Sequence, residues 1–566
     1  MDTRYIFVVG GVMSGIGKGV TTASIARILK DRGLTVAPVK IDPYINVDAG
    51  TMNPTEHGEV FVTNDGMECD QDIGNYERFI GEALPGTHSI TTGQVYRSVI
   101  ERERNLGYHG RCVEAVPDIP NEVIRRLEAI AAARGADAVL VEIGGTVGEY
   151  QNALYFEAAR LLRRMHPGRV AIVLVSYLPV LPSLGEMKTK PTQQAERMLQ
   201  EVGLQPDFII ARSVVMLDGP RKRKLALFCN VDERNIIAAP DAPSTYDVPA
   251  NFEKERLSDR LFEVLGVSAK RYPRPPQGMS REWKRLLTRI HGAQKPVRIG
   301  VIGKYFTTGG FILSDAYLSV IEALKHAAWV AGRVPELVWI DAERLEQSRV
   351  ARAELASLEG IVVPGGFGRR GVEGKIAAIR YAREHYIPYL GLCYGMQLMV
   401  VEYARNVAKL TRAHTTEITD TTPHPVIDLL PEQKALLKEQ KLGASMRLGA
   451  WKCTVTPGTL AAAAYGGAVR AGEVVSERHR HRYEVNGEYV ERLVDAGLVI
   501  SGTNPERGLV EIAELPKKEH PFFLGTQFHP ELQSTPLLPH PLFAAFVNVA
   551  IKNGGSARKP ARPAKK

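Results

Sequence analysis

Residues 4–31, RYIFVVGGVMSGIGKGVTTASIARILKD, pass from an apolar, β-branched run through a glycine-rich turn into a helix-period segment. A short continuous apolar run reads as a strand buried on both faces, and the segment after the turn reads as a helix. Glycines let the turn's backbone approach phosphate oxygens, the helix start supplies N–H donors and positive dipole, and Lys18 adds a mobile cation. Together they signal a nucleoside triphosphate. The pattern departs from the common P-loop, because Val12 stands where the first glycine would fall and Gly19 follows the lysine in place of Ser or Thr. Without that hydroxyl, a hard cation needs carboxylate oxygens from elsewhere. Asp72 in DQDIGNYERF and Glu142 in VLVEIGGTVGE are the candidates. Asp72 also reads as a helix cap, whereas Glu142 ends an apolar strand at the edge where open α/β sheets bind ligands.

Outward from this stretch, VAPVKI, AVLVEIGG, AIVLVS, PDFIIA and NIIAA repeat the buried-strand pattern between helix-period segments. A second series follows, RIGVIG, ELVWID, GIVVPGG, PYLGL and PFFLGTQ. Each series reads as its own α/β layer structure. Between them the basic, proline-paired KRYPRPPQGMSREWKRLLTRIHGAQKP reads as a linker with one short helix, Arg281 to Ile290. The expected organisation is a first domain over 1–270, a linker over 271–296, a second domain over 297–551, and a low-complexity, basic tail over 552–566 for which disorder is expected. No internal repeat is visible.

The 566 residues, 44% hydrophobic and 24% charged, fit ordinary globular usage and exclude a minidomain. The formal charge is +9, but the tail from Lys552 carries six basic residues and no acid, so the rest is nearly neutral and no nucleic-acid partner is expected. Five scattered cysteines without a CxxC pair fit a reducing compartment. The N-terminus lacks a basic region before its apolar run, and AIVLVSYLPVL is too short for a membrane span, so a cytoplasmic location is expected.

In the second half, PYLGLCYGMQ places Cys393 between glycines after a strand, at the start of a helix whose dipole favours negative charge. GTQFHPE places His529 after another strand with Glu531 two residues on, so a Cys–His–Glu triad is possible. VVPGGFGRRGVEGK is a third glycine-rich turn whose N–H groups suit an oxyanion. A lone cysteine in an apolar turn is usually packing. Three such features at successive strand ends point to a thiol hydrolase.

These strings, with KIDPYINVDAGTMNPTEHGEVFVTNDG, TTGQVY, GEMKTKPTQ, LALFCNV and ERHRHRYEVN, resemble the CTP synthase family across essentially the whole chain up to the tail. The second half alone is similar to class I glutamine amidotransferases. The resemblance implies an α/β fold with two doubly wound, mostly parallel sheets, one a P-loop-like synthetase domain and one flavodoxin-like. It also implies a reaction, the last step of de novo CTP synthesis: ATP phosphorylates O4 of UTP, and ammonia from L-glutamine displaces the phosphate to give CTP. Mg²⁺ as metal, GTP as allosteric activator and a homotetramer come from the resemblance as well. Ammonia is largely protonated near neutral pH, so a sheltered passage between the two sites is expected.

By motif match, the resemblance implies that Gly15, Ile16, Gly17, Lys18, Gly19, Val20 and Lys40 contact ATP phosphates. Asp72 and Glu142 would hold Mg²⁺, and Pro240, Asp241 and Ala242 would lie near adenine. Ser14, the KTKPTQ run of Lys188, Thr189, Lys190, Pro191, Thr192 and Gln193, and Lys224 would bind UTP, with Glu149, Tyr150 and Gln151 facing UTP or CTP. Without the resemblance, Arg221 to Lys224 reads as a solvated basic helix start. Cys393 would form the glutamyl thioester, His529 would shuttle the proton and Glu531 would orient the imidazole. Gly366, Tyr394, Gly395, Met396, Gln397, Glu417 and Arg482 would bind glutamine, Glu417 taking its amine and Arg482 its carboxylate.

The chain departs from the family pattern in places. GTVGEYQN replaces GTVGDIES, so Glu149 stands for an aspartate and Gln151 for a glutamate associated with CTP inhibition. CYG replaces CLG, HTTE replaces NSTE before Glu417, Asn75 replaces a histidine, and TTGGF near 307–311 resembles an insertion. Two other readings are a P-loop amidoligase with a different acceptor, and a nucleic-acid or scaffold protein using the tail and the RHRHR cluster.

Overall fold

The computed structural model describes residues 2–181, 185–304, 307–308, 311–312, 314–347, 353–429, 433, 446–466 and 474–554. By its contacts the chain groups into two units, Met1–Ala49 with Asp72–Leu287, and Gly50–Gln71 with Thr288–Lys566.

The first unit is built on a seven-stranded sheet. Its order is Ile236–Pro240, Phe208–Ser213, Val170–Tyr177, Arg4–Gly10, Ala138–Ile143, Val36–Asp42 and Ser89–Thr91. All six pairings are parallel. The central strand Arg4–Gly10 has almost every side chain buried, as a parallel strand covered on both faces requires. Helix Lys18–Asp31 leaves its C-terminal edge after Gly17, which sits at φ 87° and makes the reversal from strand to helix. The helix face of Ile25, Ile28 and Leu29 is buried. The expected linker helix is present as Arg281–Gly292, and its Trp283 is fully buried, packing tilted against Phe79 and edge-on to Tyr246 and donating Nε1–H to the Tyr246 carbonyl at 3.1 Å.

The second unit carries a nine-stranded mixed sheet. Arg333–Asp341, Lys295–Gly303, Gly360–Val363, Tyr389–Leu392 and Phe523–Thr526 pair in parallel in that order. Four antiparallel strands extend it: Val510–Glu514, Val499–Thr503, Arg447–Val455 and Val474–His481. The five parallel strands are the five apolar runs of the second series. A hairpin of Val60–Val62 and Glu68–Asp70 also belongs to this unit. Arg478 Nε donates to Asn64 Oδ1 at 2.6 Å, and Arg480 Nε donates to Glu68 Oε1 at 2.8 Å. Within the TTGGF stretch, Thr307–Thr308 pairs with Phe311–Ile312, and 309–310 lie outside the described residues, as do tail residues 555–566. No described helix is long and apolar enough to cross a membrane.

Candidate active sites

In each unit the candidate residues collect where parallel strands end, the edge at which open α/β sheets bind ligands. In the first unit, Lys18 Nζ donates to the Gly145 carbonyl at 2.8 Å, fastening the glycine-rich turn to the loop after Ala138–Ile143. Lys40, buried near the end of Val36–Asp42, donates to Asp72 and lies 3.5 Å from both Glu142 Oε1 and Asp42 Oδ1. Burial would raise the Asp72 carboxyl, but Lys40 and the Asn75 amide outweigh it and the net shift is downward. Glu142, fully buried and facing Asp72, is pushed up to about 7 by desolvation and by that second carboxylate, while the Tyr76 hydroxyl donates to it. Lys18 is lowered by burial, with Glu142 opposing.

Gly19 is the tightest part of this arrangement. A Cβ there would fall 2.1 Å from Asp72 Oδ1. The place of the missing P-loop hydroxyl is therefore held by a carboxylate. Among the described residues no cluster of three or more His, Cys, Asp or Glu forms a metal cage. Two hard carboxylates beside a glycine-rich turn do suit Mg²⁺, which takes one or two protein carboxylates together with substrate phosphates.

Gly17 and Val20 share a pocket with Pro240, Asp241, Ala242 and the apolar Val248 and Phe252. Arg212 lines it too, with Nη1 donating to the Ala239 carbonyl at 2.8 Å and Nη2 to Asp241 Oδ1 at 2.9 Å. Of the expected nucleotide residues, Ser14, Gly15, Tyr150, Gln151, Lys190 and Lys224 are exposed, and Ile16 and Gly19 are buried. Thr192 is fully buried, its hydroxyl paired with Ser176 at 2.9 Å, and Gln193 Nε2 donates to Thr189 Oγ1 at 3.0 Å, so these form the inner support of the KTKPTQ turn. Lys188 pairs with Glu186 at 2.6 Å, and Pro191 opens helix Lys190–Glu201. Glu149 accepts from the Thr146 amide at 2.8 Å and from Gln151 Nε2 at 2.7 Å.

In the second unit, Cys393 stands between strand Tyr389–Leu392 and helix Tyr394–Asn406 at φ 51°, ψ −100°. A positive φ at a non-glycine residue is strained, and a sharp strand-to-helix turn of this kind presents a nucleophile above the sheet edge. Cys393, His529, Glu531, Gly365 and Gly366 line one pocket. His529 Nδ1 and Glu531 Oε1 are 2.7 Å apart. Burial opposes protonation of His529, but Glu531 and Cys393 outweigh it and hold the imidazole well above its usual range. A Cβ on Gly365 would lie 3.0 Å from His529 Cε1 and 3.8 Å from Cys393 Cβ, so glycine is what lets this loop pass over the pair.

The glycine-rich loop is pinned from below. Gly368 N donates to Glu417 Oε1 at 2.5 Å, while the Gly368 carbonyl accepts from Lys304 Nζ at 3.1 Å and the Tyr394 hydroxyl at 3.3 Å. Glu417 is raised, chiefly by burial. Gly395, Met396 and Gln397 continue the helix after the cysteine, and Gln397 Nε2 donates to the Tyr483 carbonyl at 2.8 Å. Arg482 is half-buried and reaches Gln433 Oε1 at 3.2 Å, whereas its neighbour Arg480 lines the Cys393 pocket. Residues not singled out from sequence also meet here: Gln527 Nε2 donates to Cys393 Sγ at 3.7 Å, and Glu59 of the hairpin segment lines the same pocket. Gln527 stood within GTQFHPE, directly after a strand, which is the one signal that marked it.

Residues 4–267 match the CTP synthase N-terminus family, and residues 312–549 match glutamine amidotransferase class-I. A CTP synthase of Rubrobacter xylanophilus is 49% identical over 99% of this chain and 98% of its own length. One from Carboxydothermus hydrogenoformans is 48% identical over 97% of this chain and 99% of its own. A solved Trypanosoma brucei CTPS glutaminase domain with bound acivicin is 38% identical, covers 45% of this chain and 94% of its own, and superposes with a TM-score of 0.40. The chain belongs to the CTP synthase family, glutamine-hydrolysing ligases that form a C–N bond in converting UTP to CTP.

Proposed function

We propose that the chain divides this synthesis between its two candidate sites as follows. Cys393 attacks the carboxamide carbon of glutamine, with His529 taking the thiol proton and passing it to the leaving ammonia. Water then releases glutamate from the thioester. Glu531 holds the imidazole's orientation, and the Gly365–Gly366 turn offers N–H donors to the oxyanion. Gly366, Tyr394, Gly395, Met396, Gln397, Glu417 and Arg482 shape the glutamine site. What supports this half is the 2.7 Å His529–Glu531 pair in one pocket with a strained Cys393.

In the other half, the γ-phosphoryl group of ATP passes to O4 of UTP, and ammonia then attacks C4 and expels phosphate. Gly15 to Val20 and Lys40 cradle the ATP phosphates, with Pro240 to Ala242 beside adenine. Ser14, Glu149 to Gln151, Lys188 to Gln193 and Lys224 receive the pyrimidine nucleotide. Asp72 and Glu142 would hold Mg²⁺, which would neutralise charge on the transferring phosphoryl group. The observation that carries this half is the convergence of Lys18, Lys40, Asp72 and Glu142 at one sheet edge.

Residues 1–270 supply the synthetase chemistry and 297–551 the amidotransferase chemistry, joined by 271–296 and followed by the basic tail 552–566. GTP activation, a homotetramer and a cytoplasmic place complete the proposal. The test is spectroscopic detection of CTP from UTP, ATP, Mg²⁺ and glutamine, omitting each in turn. Loss of CTP on every omission is expected, and CTP formed without ATP overturns the phosphorylated intermediate.

A further inference from the structure

Helix Val372–Glu384 follows the glycine-rich loop and carries Lys375 in its first turn. Lysine side chains normally run out to water. Lys375 is instead fully buried, and its Nζ has no hydrogen-bond partner among the described residues. That Nζ lies 5.4 Å from the centre of the Tyr394 ring, and Lys304 Nζ lies 5.5 Å from the same ring. A Cβ on Gly366 would be 3.7 Å from Lys375 Nζ, which places the amine directly beneath the loop that borders the Cys393 pocket.

The charged groups that act on Lys375 are Lys304, Glu417 and the Cys393 sulfur, and Lys304 in turn faces Arg370 and Glu343. Glu417 is already engaged by the Gly368 amide. The amine therefore faces the ring of Tyr394, the residue directly after Cys393. Burial, then the charge of Lys304, brings Lys375 down to about 7, with Cys393 and Glu417 opposing.

We propose that Lys375 is a positioning residue for glutamine hydrolysis, its buried Nζ supplying the cation that the Cys393 thiolate faces. It acts through the sulfur and does not touch glutamine. His529 takes the thiol proton, Lys375 gives up none, and the sulfur's charge is consumed when the S–C bond forms. The proposal rests on Cys393 being the nucleophile.

The test measures alkylation of Cys393 by iodoacetamide in the full chain from pH 6 to 9, read by peptide mass, alongside glutamine hydrolysis. At pH 7, Lys375→Met is expected to slow alkylation about tenfold, as loss of one nearby opposite charge does. The kcat for glutamine should fall by a similar factor with KM within about twofold, and Lys375→Arg should retain most of both. Unchanged alkylation in a folded Lys375→Met, or a rise in KM alone, overturns the proposal while leaving the nucleophile in place. If Lys375→Met does not fold, Lys375→Gln is measured in the same way: slowed alkylation at pH 7 supports the proposal, and wild-type alkylation in the folded variant overturns it. Glutamine hydrolysis surviving in Cys393→Ala removes the nucleophile assignment itself.

Discussion

Gly19 and Asp72 exclude each other's side chains: a Cβ on the glycine would sit 2.1 Å from a carboxylate oxygen of the aspartate. The residue after Lys18 is glycine, and the space a side chain would take there is filled by a carboxylate from another element, the start of helix Gln71–Ile80. Gly19→Ala should displace Asp72 by an ångström or more and cut CTP synthesis about a hundredfold. Glutamine hydrolysis, which uses other residues, should be unchanged. Steady-state rates of both reactions check this, and synthesis surviving in Gly19→Ala contradicts it.

Gly365 makes the corresponding prediction for the other site. A methyl group there meets His529 Cε1 at 3.0 Å and is flanked by Cys393 Cβ. Gly365→Ala should lower glutamine-dependent synthesis by about tenfold to a hundredfold, while synthesis from added ammonium keeps its rate. Parallel assays with the two nitrogen sources read the difference.

The legibility of the fold followed the physics of each element. Parallel strands covered on both faces are apolar throughout, so Arg4–Gly10 and Phe523–Thr526 stood out, as did the other runs quoted from sequence. Ser89–Thr91 has three residues, too few for any period, and an antiparallel strand of the second unit such as Val474–His481 is polar over most of its length, so it shows no apolar run. The grouping of Gly50–Gln71 with the second unit depends on pairs such as Arg478 with Asn64, 414 residues apart, which no local pattern encodes. At the candidate sites, glycine turns and strand ends mark Lys18, Glu142, Cys393, His529 and Glu531 in the sequence, and Asp72 enters as a carboxylate needed in place of the missing hydroxyl. Lys375 and Arg212 were not singled out, because the burial and partners that set them apart depend on residues distant in sequence, and Gln527 had only its place after a strand to mark it.

Gln151 donates to Glu149 at 2.7 Å, while Glu149 also accepts from Thr146. The family glutamate at this position would be an acceptor, whereas glutamine spends its amide on a neighbouring carboxylate. Inhibition by CTP should be weak in the natural chain, and Gln151→Glu should strengthen it by about tenfold, the equivalent of one hydrogen bond to a charged group. Superimposable CTP inhibition curves for the two proteins contradict this.

A buried network behind the second site predicts a pH dependence of stability. Arg447 pairs with Glu484 at 3.1 Å and Glu511 at 2.6 Å. Burial pushes these carboxyls up to about 8 and about 7, with Arg447 opposing in both, so the pair retains a proton near neutrality that the unfolded chain has released. Stability from this source is fully present below about 4.5, where the unfolded carboxyls still hold their protons, and is lost as pH rises from there to between 7 and 8, by up to about 1.4 kcal/mol per pH unit for each proton. His479 and His481, held neutral by burial, act oppositely but only below about 6.5, where unfolded histidine is protonated. The melting temperature should therefore fall from pH 6.5 to 8.5, and Glu484→Gln should flatten that fall. Arg447→Met, which leaves a buried carboxylate unpaired, should cost about 3–5 kcal/mol.

In the proposed division of labour, nitrogen release and pyrimidine activation are separate chemistries carried by separate residues of one chain. The most direct measurement is CTP formation by Cys393→Ala, supplied in turn with glutamine and with ammonium, alongside ATP, UTP and Mg²⁺. No CTP from glutamine and wild-type rates from ammonium are expected. Loss of CTP from both nitrogen sources in a folded variant, or full synthesis from glutamine without the thiol, would contradict it.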